Sequence, residues 1–562
     1  MARSRWRRPR WRRGSPIRRT GRAPAACWRV SRRAGCAACC RPERSPAFKN
    51  ARVRRPRRPL IEFRRRSMKR HFGLVTAAAL LVAAPAHASQ DQAAFDRAVA
   101  AVQARMEPID AMEDRIPGRV LVFTSTGADP VVDVRGVANV ETGQSADADT
   151  PFYIASMTKA FVGLMAVRLD MDGTLPLETT LAEIYPGMRV EGVDLSQVTL
   201  RDALSHRLGF NSPALSFRTS YTDAVPVGEF AKVVNASQEP TDRAFSYANL
   251  GYLLYAGALE KRTGRSWKSW LDQLVLMPLG MHHSSARTSD LPLASHTHEL
   301  YVSGWRTYPP KTDAIMHAAG GMVVSGGDMA RWLSANAGGD SAIAGEVFDA
   351  AQTKLAETTR EAGPVNCTGY ALGWTLCEAG GIRFLEHGGT YTGARSEMIV
   401  LPDHGAGFAA IFNSDSMTGG LGQQLVATFV MAYAGQADGL PAPEAFAQRY
   451  AERADGYRAN RSDTETQLAA LDWSADRAQL EAYGGVFVHP ALGELDLAVA
   501  DRTLRATLNG TALVLQGIED DHYAARISTG SGYDDFRLVR GDDGAVVAVE
   551  WDGDVFQRRA TP

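Results

Sequence analysis

Past residue 90 the sequence has no apolar run of 18 or more residues, so no membrane-embedded helical domain is encoded there. It also lacks the basic residues that a nucleic-acid enzyme needs. From Ser89 onward 37 Lys and Arg stand against 60 Asp and Glu, a net of −23, and phosphate contacts require the opposite sign. Lysine is scarce in that stretch: only Lys159, Lys232, Lys261, Lys268, Lys311 and Lys354 occur. Gly-x-Ser-x-Gly is absent, which removes the nucleophile elbow of an α/β-hydrolase. His282-His283 and His296-x-His298 lack the spaced partners of a zinc hydrolase and read as surface loop residues, so no metal or other cofactor is expected. What the chain does have is 45% apolar residues over 562 positions, enough for several packed domains and too many for general disorder.

Four of the six cysteines, Cys27, Cys36, Cys39 and Cys40, lie in an N-terminal segment unlike the rest. Residues 1–67 hold 23 Arg and one Lys against Glu43 and Glu62 alone, with no apolar period. Such a segment buries no core and reads as lying outside the working protein. At Met68 the pattern of an export signal begins. Lys69 and Arg70 form a charged start, Phe72 to Ala84 an apolar run of 13 residues, and Ala86-His87-Ala88 a small-x-small cleavage site. Residues 68–88 are therefore expected to be a signal peptide, Ser89 the mature N-terminus, and the location periplasmic or secreted. Only Cys367 and Cys377 remain beyond it. An oxidising compartment favours pairing them, but a strand read over 370–376 would hold the thiols beyond reach, so the pairing stays open.

From Ser89 to about 440 the texture is mixed. A helix is expected over 91–115, strands over 120–124 and 131–137, and a helix over 156–171 stopped by Asp172-Gly173. Strand patterns return at 369–376, 383–387 and 396–401, and a helix follows over 418–433. Strands at both ends with helices between imply an α+β body whose sheet joins the two termini. Gly439-Leu-Pro-Ala-Pro marks a break, and polar helical residues form a linker over 441–480. Residues 481–562 then carry eight short alternating strands at hairpin spacing, the signature of a small β-barrel. No candidate catalytic residue falls in that barrel, so 89–440 is expected to hold a complete site.

The chemistry centres on Ala155-Ser156-Met157-Thr158-Lys159 at a helix start. Ser156 and Lys159, three apart, share one helix face. Ala160 to Val167 carries no charge, so the helix is expected to be buried and Lys159 desolvated. Desolvation and the positive helix end both disfavour the ammonium, and a neutral amine beside a hydroxyl can accept its proton. Ser-x-x-Lys alone is common by chance. Two further elements join it: Tyr247-Ala248-Asn249, 91 residues on, and His387-Gly388-Gly389-Thr390 at the end of an expected strand. A Tyr hydroxyl near a cation can relay protons, an Asn amide can hold a substrate amide, and paired glycines let a substrate approach a strand edge.

In this order and spacing the three elements resemble the serine β-lactamase-related family of class C β-lactamases, penicillin-binding DD-peptidases, D-aminopeptidases and esterases. Thr150-Pro-Phe-Tyr-Ile-Ala, Leu204-Ser-His-Arg-Leu-Gly, Ala319-Gly-Gly-Met-Val-Val-Ser and Ala-Leu-Gly373-Trp match its habits, over about 100–435. The C-terminal segment is similar to the lipocalin-like barrel often appended to these hydrolases. The resemblance implies a β-lactamase/transpeptidase-like α/β sandwich with antiparallel sheet and helical subdomain. It implies Ser156 as acylated nucleophile, Lys159 with Tyr247 as proton-transfer pair, and the Ser156 and Thr390 amides as oxyanion hole. Asn249, His387, Gly389 and Thr390 would bind substrate, a D-amino-acid peptide, a peptidoglycan fragment or a small ester. His387 stands where strict β-lactamases carry Lys. A mostly neutral His grips a carboxylate less well than a constant charge, which counts against efficient β-lactam turnover. A non-catalytic receptor for peptidoglycan fragments or β-lactams would need Ser156 but not Tyr247 and Asn249 beside it.

Overall fold

The computed structural model describes residues 84–112, 116–308, 310–470, 476–500, 503–527 and 534–560. The Arg-rich segment and residues 68–83 of the expected signal peptide lie outside them, while residues 84–88 begin the helix Ala84–Asp110. Among the described residues no helix is long and apolar enough to cross a membrane.

The central sheet is antiparallel throughout. Its nine strands run in the order Ala356–Ala362, Val365–Tyr370, Thr375–Ala379, Ile382–Tyr391, Ala394–Leu401, Ala406–Phe412, Gly118–Ser125, Val131–Asn139 and Gln144–Ser145. The N-terminal strand Gly118–Ser125 pairs with Ala406–Phe412, Val120 opposite Ile411, so the sheet does join the two ends of the body. Both faces of this pair are buried. Val120 and Val122 point into one core, which includes the helix Thr158–Met171, and Leu121 and Phe123 point into the other. The second core is closed by the helices Ala84–Asp110 and Leu421–Tyr433, with Phe95 and Phe429 in edge contact. A strand buried on both faces shows no polar alternation. That is why Ala406–Phe412, reading Ala-Gly-Phe-Ala-Ala-Ile-Phe, went unmarked in the sequence.

The expected strand over 369–376 is not one strand. Val365–Tyr370 and Thr375–Ala379 are the arms of a hairpin, turned at Ala371-Leu-Gly-Trp. Gly373 has φ +84°, and a Cβ on it would lie 2.4 Å from the Ala160 backbone. The turn thus needs glycine both for its hand and for its contact with the helix of Lys159. Folding back brings Cys367 opposite Cys377 in register, and the two form a disulfide. The distance argument against pairing fails because the intervening residues turn rather than extend. A second correction concerns His298. It is fully buried on strand Thr297–Tyr301, donating from Nδ1 to the Asn413 carbonyl (3.0 Å) while Nε2 accepts from the Val140 amide (3.2 Å).

Residues past 440 are docked, not loosely tethered. The helix Pro443–Ala469 buries Phe446 and Tyr450 in the second core, and Arg461 pairs with buried Glu299 at 2.9 Å. Eight strands from Gly485 to Arg558 then close into a barrel in simple hairpin order. Strand Gly493–Ala500 shows the rule: Leu495 and Leu497 point inward, Glu494 and Asp496 outward.

Candidate active site

Strand Pro151–Tyr153 leads into a sharp bend. Ala155 takes φ +46°, a left-handed conformation that costs a non-glycine residue about 1–3 kcal/mol. Ser156 follows in a single 3₁₀ turn, Ala155–Met157, and the helix Thr158–Met171 begins immediately after. The bend places Ser156 at the helix start, where free amides and the positive end of the dipole gather.

Lys159 is fully buried beneath it. Its Nζ lies 3.0 Å from Ser156 Oγ, 2.9 Å from Asn249 Oδ1 and 2.7 Å from the Ala319 carbonyl oxygen. It also sits 4.9 Å from the Tyr247 ring centroid. Burial holds the amine well below the ordinary lysine value of 10.5. Tyr247 is raised by burial of its hydroxyl, and its hydrogen bond to Ser156 works the other way. As a residue Tyr247 is 46% exposed, so cleft water trims that rise. Ser156, Lys159, Tyr247 and Asn249, drawn from two distant stretches of sequence, thus meet around one amine. Asn249 stands just before the helix Leu250–Thr263, with its amide oxygen turned to Lys159.

The opposite wall is the strand Ile382–Tyr391. Its neighbour Thr375–Ala379 pairs only as far as Glu386, so beyond that one edge carries no strand. There the segment of Ser156 packs in. A Cβ on Gly389 would lie 2.2 Å from the Ile154 carbonyl oxygen and 3.1 Å from the Ser156 amide nitrogen. Ser396 Oγ donates to the same Ile154 oxygen at 2.8 Å. Thr390, next along the edge, is exposed, and its hydroxyl accepts from Arg395 at 2.6 Å. His387 is buried with both nitrogens engaged: Nδ1 donates to the Gly388 carbonyl at 2.8 Å, and Nε2 accepts from the Tyr370 hydroxyl at 3.2 Å. Burial, with Lys159 nearby, pushes it down to about 3, so it is neutral at pH 7.

Two residues to which the sequence reading assigned no role organise this site. His206, inside the noted Leu-Ser-His-Arg-Leu-Gly stretch, is buried with φ +62°. Its Nδ1 accepts from the Ala248 amide at 3.2 Å, and its carbonyl accepts from the Ser246 amide at 2.8 Å. It therefore clamps the Tyr247–Asn249 loop, with its ring 4.4 Å from that of Tyr247. Tyr370 packs 4.8 Å from His206 and holds His387, linking the two walls. The histidine was visible in the sequence; its loop partner was not.

Comparison with known proteins supports the same architecture. The family model described as Beta-lactamase matches residues 95–427. Penicillin-binding protein 4 of Amycolatopsis lactamdurans is 26% identical over 361 residues, covering 61% of this chain and 91% of its own. Unguisins hydrolase ungD of Aspergillus violaceofuscus is 25% identical over 442 residues, 70% of this chain and 77% of its own. Among solved structures, the octameric penicillin-binding protein homologue from Pyrococcus abyssi superposes with a TM-score of 0.52 at 18% identity. That superposition covers 82% of this chain and 99% of the homologue, and at such identity it speaks for the fold. With a family match spanning more than half its length, this chain belongs to the β-lactamase family.

Proposed function

We propose that the protein is a serine hydrolase that works through an acyl-enzyme on Ser156. The observation that carries this reading is the set of partners around Lys159. Asn249 Oδ1 and the Ala319 carbonyl can only accept. They take the two N–H groups of a neutral amine, which turns its lone pair to the Ser156 hydroxyl. Lys159 is then the base that takes the Ser156 proton, and Tyr247 relays it to the leaving group. The Ser156 and Thr390 amides stabilise the oxyanion. Gly389 permits the close approach of strand and nucleophile that this requires. In this reading Asn249 serves the substrate amide and also orients Lys159.

The substrates we favour are D-amino-acid peptides or amides and small esters. A penicillin-binding protein and Esterase EstB of Burkholderia gladioli, the latter 27% identical over 211 residues, are among its relatives. The neutral His387, with both nitrogens committed, argues against fast β-lactam turnover. The Cys367–Cys377 disulfide agrees with export to an oxidising compartment.

Intact-mass analysis with a slow ester tests the proposal. One acyl adduct is expected on the wild type and none on Ser156→Ala, whose rate should fall on the order of 10⁴-fold or more. Lys159→Ala should cost nearly as much, and the double variant little more, because the two act as one unit. An adduct on another serine would refute the assignment. An adduct that forms and never hydrolyses would make the protein a receptor.

A further inference from the structure

The segment between the hydrolase body and the barrel touches both. The helix Pro213–Phe217 continues as one π-helical turn, Arg218–Thr222. On one side the barrel grips it. Thr511 Oγ1 donates to the Thr222 carbonyl at 2.9 Å, and Asn509 Nδ2 reaches Thr222 Oγ1 and Asp223 Oδ1, each at 3.4 Å. Phe217 and Tyr221 pack against the barrel core, while Ala491 from a barrel hairpin is buried in the hydrolase core. On the other side, Ser220 Oγ lies 3.0 Å from His317 Nε2. His317 opens the tight turn His317–Gly320, closed by the Gly320 amide donating to the His317 carbonyl at 3.0 Å. Nδ1 of His317 has no partner among the described residues, so Ser220 is the polar tie of that ring. Inside this turn is Ala319, whose carbonyl holds Lys159 Nζ at 2.7 Å.

We propose that Ser220 and His317 are positioning residues, a strut through which the C-terminal barrel fixes the Ala319 carbonyl and so aims the Lys159 lone pair at Ser156. The proposal rests on the acyl-enzyme reading above and reverses the expectation that 89–440 is complete on its own. A misdirected base lowers the rate of acylation without changing how substrate binds, because neither strut residue is assigned a substrate contact.

The test uses the full chain and p-nitrophenyl acetate, following the nitrophenolate burst. Ser220→Ala, and separately the barrel-side pair Asn509→Ala with Thr511→Val, should each slow acylation at saturating ester about tenfold or more, with the half-saturating concentration unchanged. Combining the two sets should cost little more than either alone, since both cut one strut. Arg540→Ala, whose partners Asp521, Gly544 and Tyr483 all lie in the barrel or the helix before it, should acylate as the wild type does. A folded Ser220→Ala or barrel-side variant that acylates at the wild-type saturating rate overturns the strut. Should Ser220→Ala fail to fold, the barrel-side pair decides, because it leaves the hydrolase body unaltered. A wild type that is not acylated at Ser156 overturns the functional reading itself, and the strut with it.

Discussion

Lys159 pays for its position in solvation, and the pH dependence follows from that. Its value is held well below 10.5, so between the two the unfolded chain binds a proton that the folded chain does not. Stability contributed by this group therefore rises with pH through that window. In the proposed mechanism catalysis rises in the same direction, since there the neutral amine is the base. We expect acylation to climb with pH through a group titrating below 10.5, a feature absent from Lys159→Ala, as a stopped-flow pH series will show. His387 has the same sign at lower pH. Lowered to about 3 from an ordinary 6.5, it makes the fold lose stability as pH falls through that interval. Urea unfolding at pH 6.5, 5 and 4 should show a shallower decline for His387→Asn than for the wild type. At Gly389 the constraint is steric. Gly389→Ala would drive a methyl to 2.2 Å from the Ile154 oxygen, and acylation should fall at least tenfold as the strand edge moves from Ser156.

Among the elements, the helix Thr158–Met171 depends on the hairpin turn that packs against it. Gly373 meets Ala160 and Gly163 meets the Leu372 carbonyl, both closer than any side chain would allow. Gly373→Ala combines a left-handed backbone with a clash, and should cost more than about 1 kcal/mol from conformation alone. The disulfide on the same hairpin joins residues ten apart, a loop worth roughly 2–3 kcal/mol by chain-entropy arguments. Urea midpoints measured with and without reductant check this; no change on reduction would mean that the strand pairing alone holds the hairpin.

At the largest scale, the described residues past 90 form a β-lactamase-family body with a barrel seated against it. Ala491 enters the body's core, and Phe217 and Tyr221 enter the barrel's margin. Residues 89–440 expressed alone should therefore melt at lower temperature and bind more of an apolar dye than the full chain, read by thermal shift and fluorescence. The proposed export would set the other boundary. Mature protein recovered from a Gram-negative periplasm should begin at or near Ser89 by N-terminal sequencing, and retention of residues 1–67 would refute the signal reading.

The sequence by itself marked the candidate constellation, because Ser-x-x-Lys, Tyr-x-Asn and His-x-Gly are local spacings that chemistry constrains. It also determined the barrel, whose strands are short, alternating and joined by hairpins, so each pairing is written next to its partner. It marked the buried helix of Lys159 by an uncharged run. Tertiary structure decided what depends on distant partners. The strand Ala406–Phe412 is apolar on both faces and becomes legible only between its two neighbours. Cys367 meets Cys377 only because Gly373 turns the chain against Ala160. The clamp by His206 joins its ring Nδ1 to a main-chain amide 42 residues away, and the Ala319 carbonyl is a main-chain atom that every residue possesses. Which carbonyl faces the amine is set by packing, and no residue letter records it.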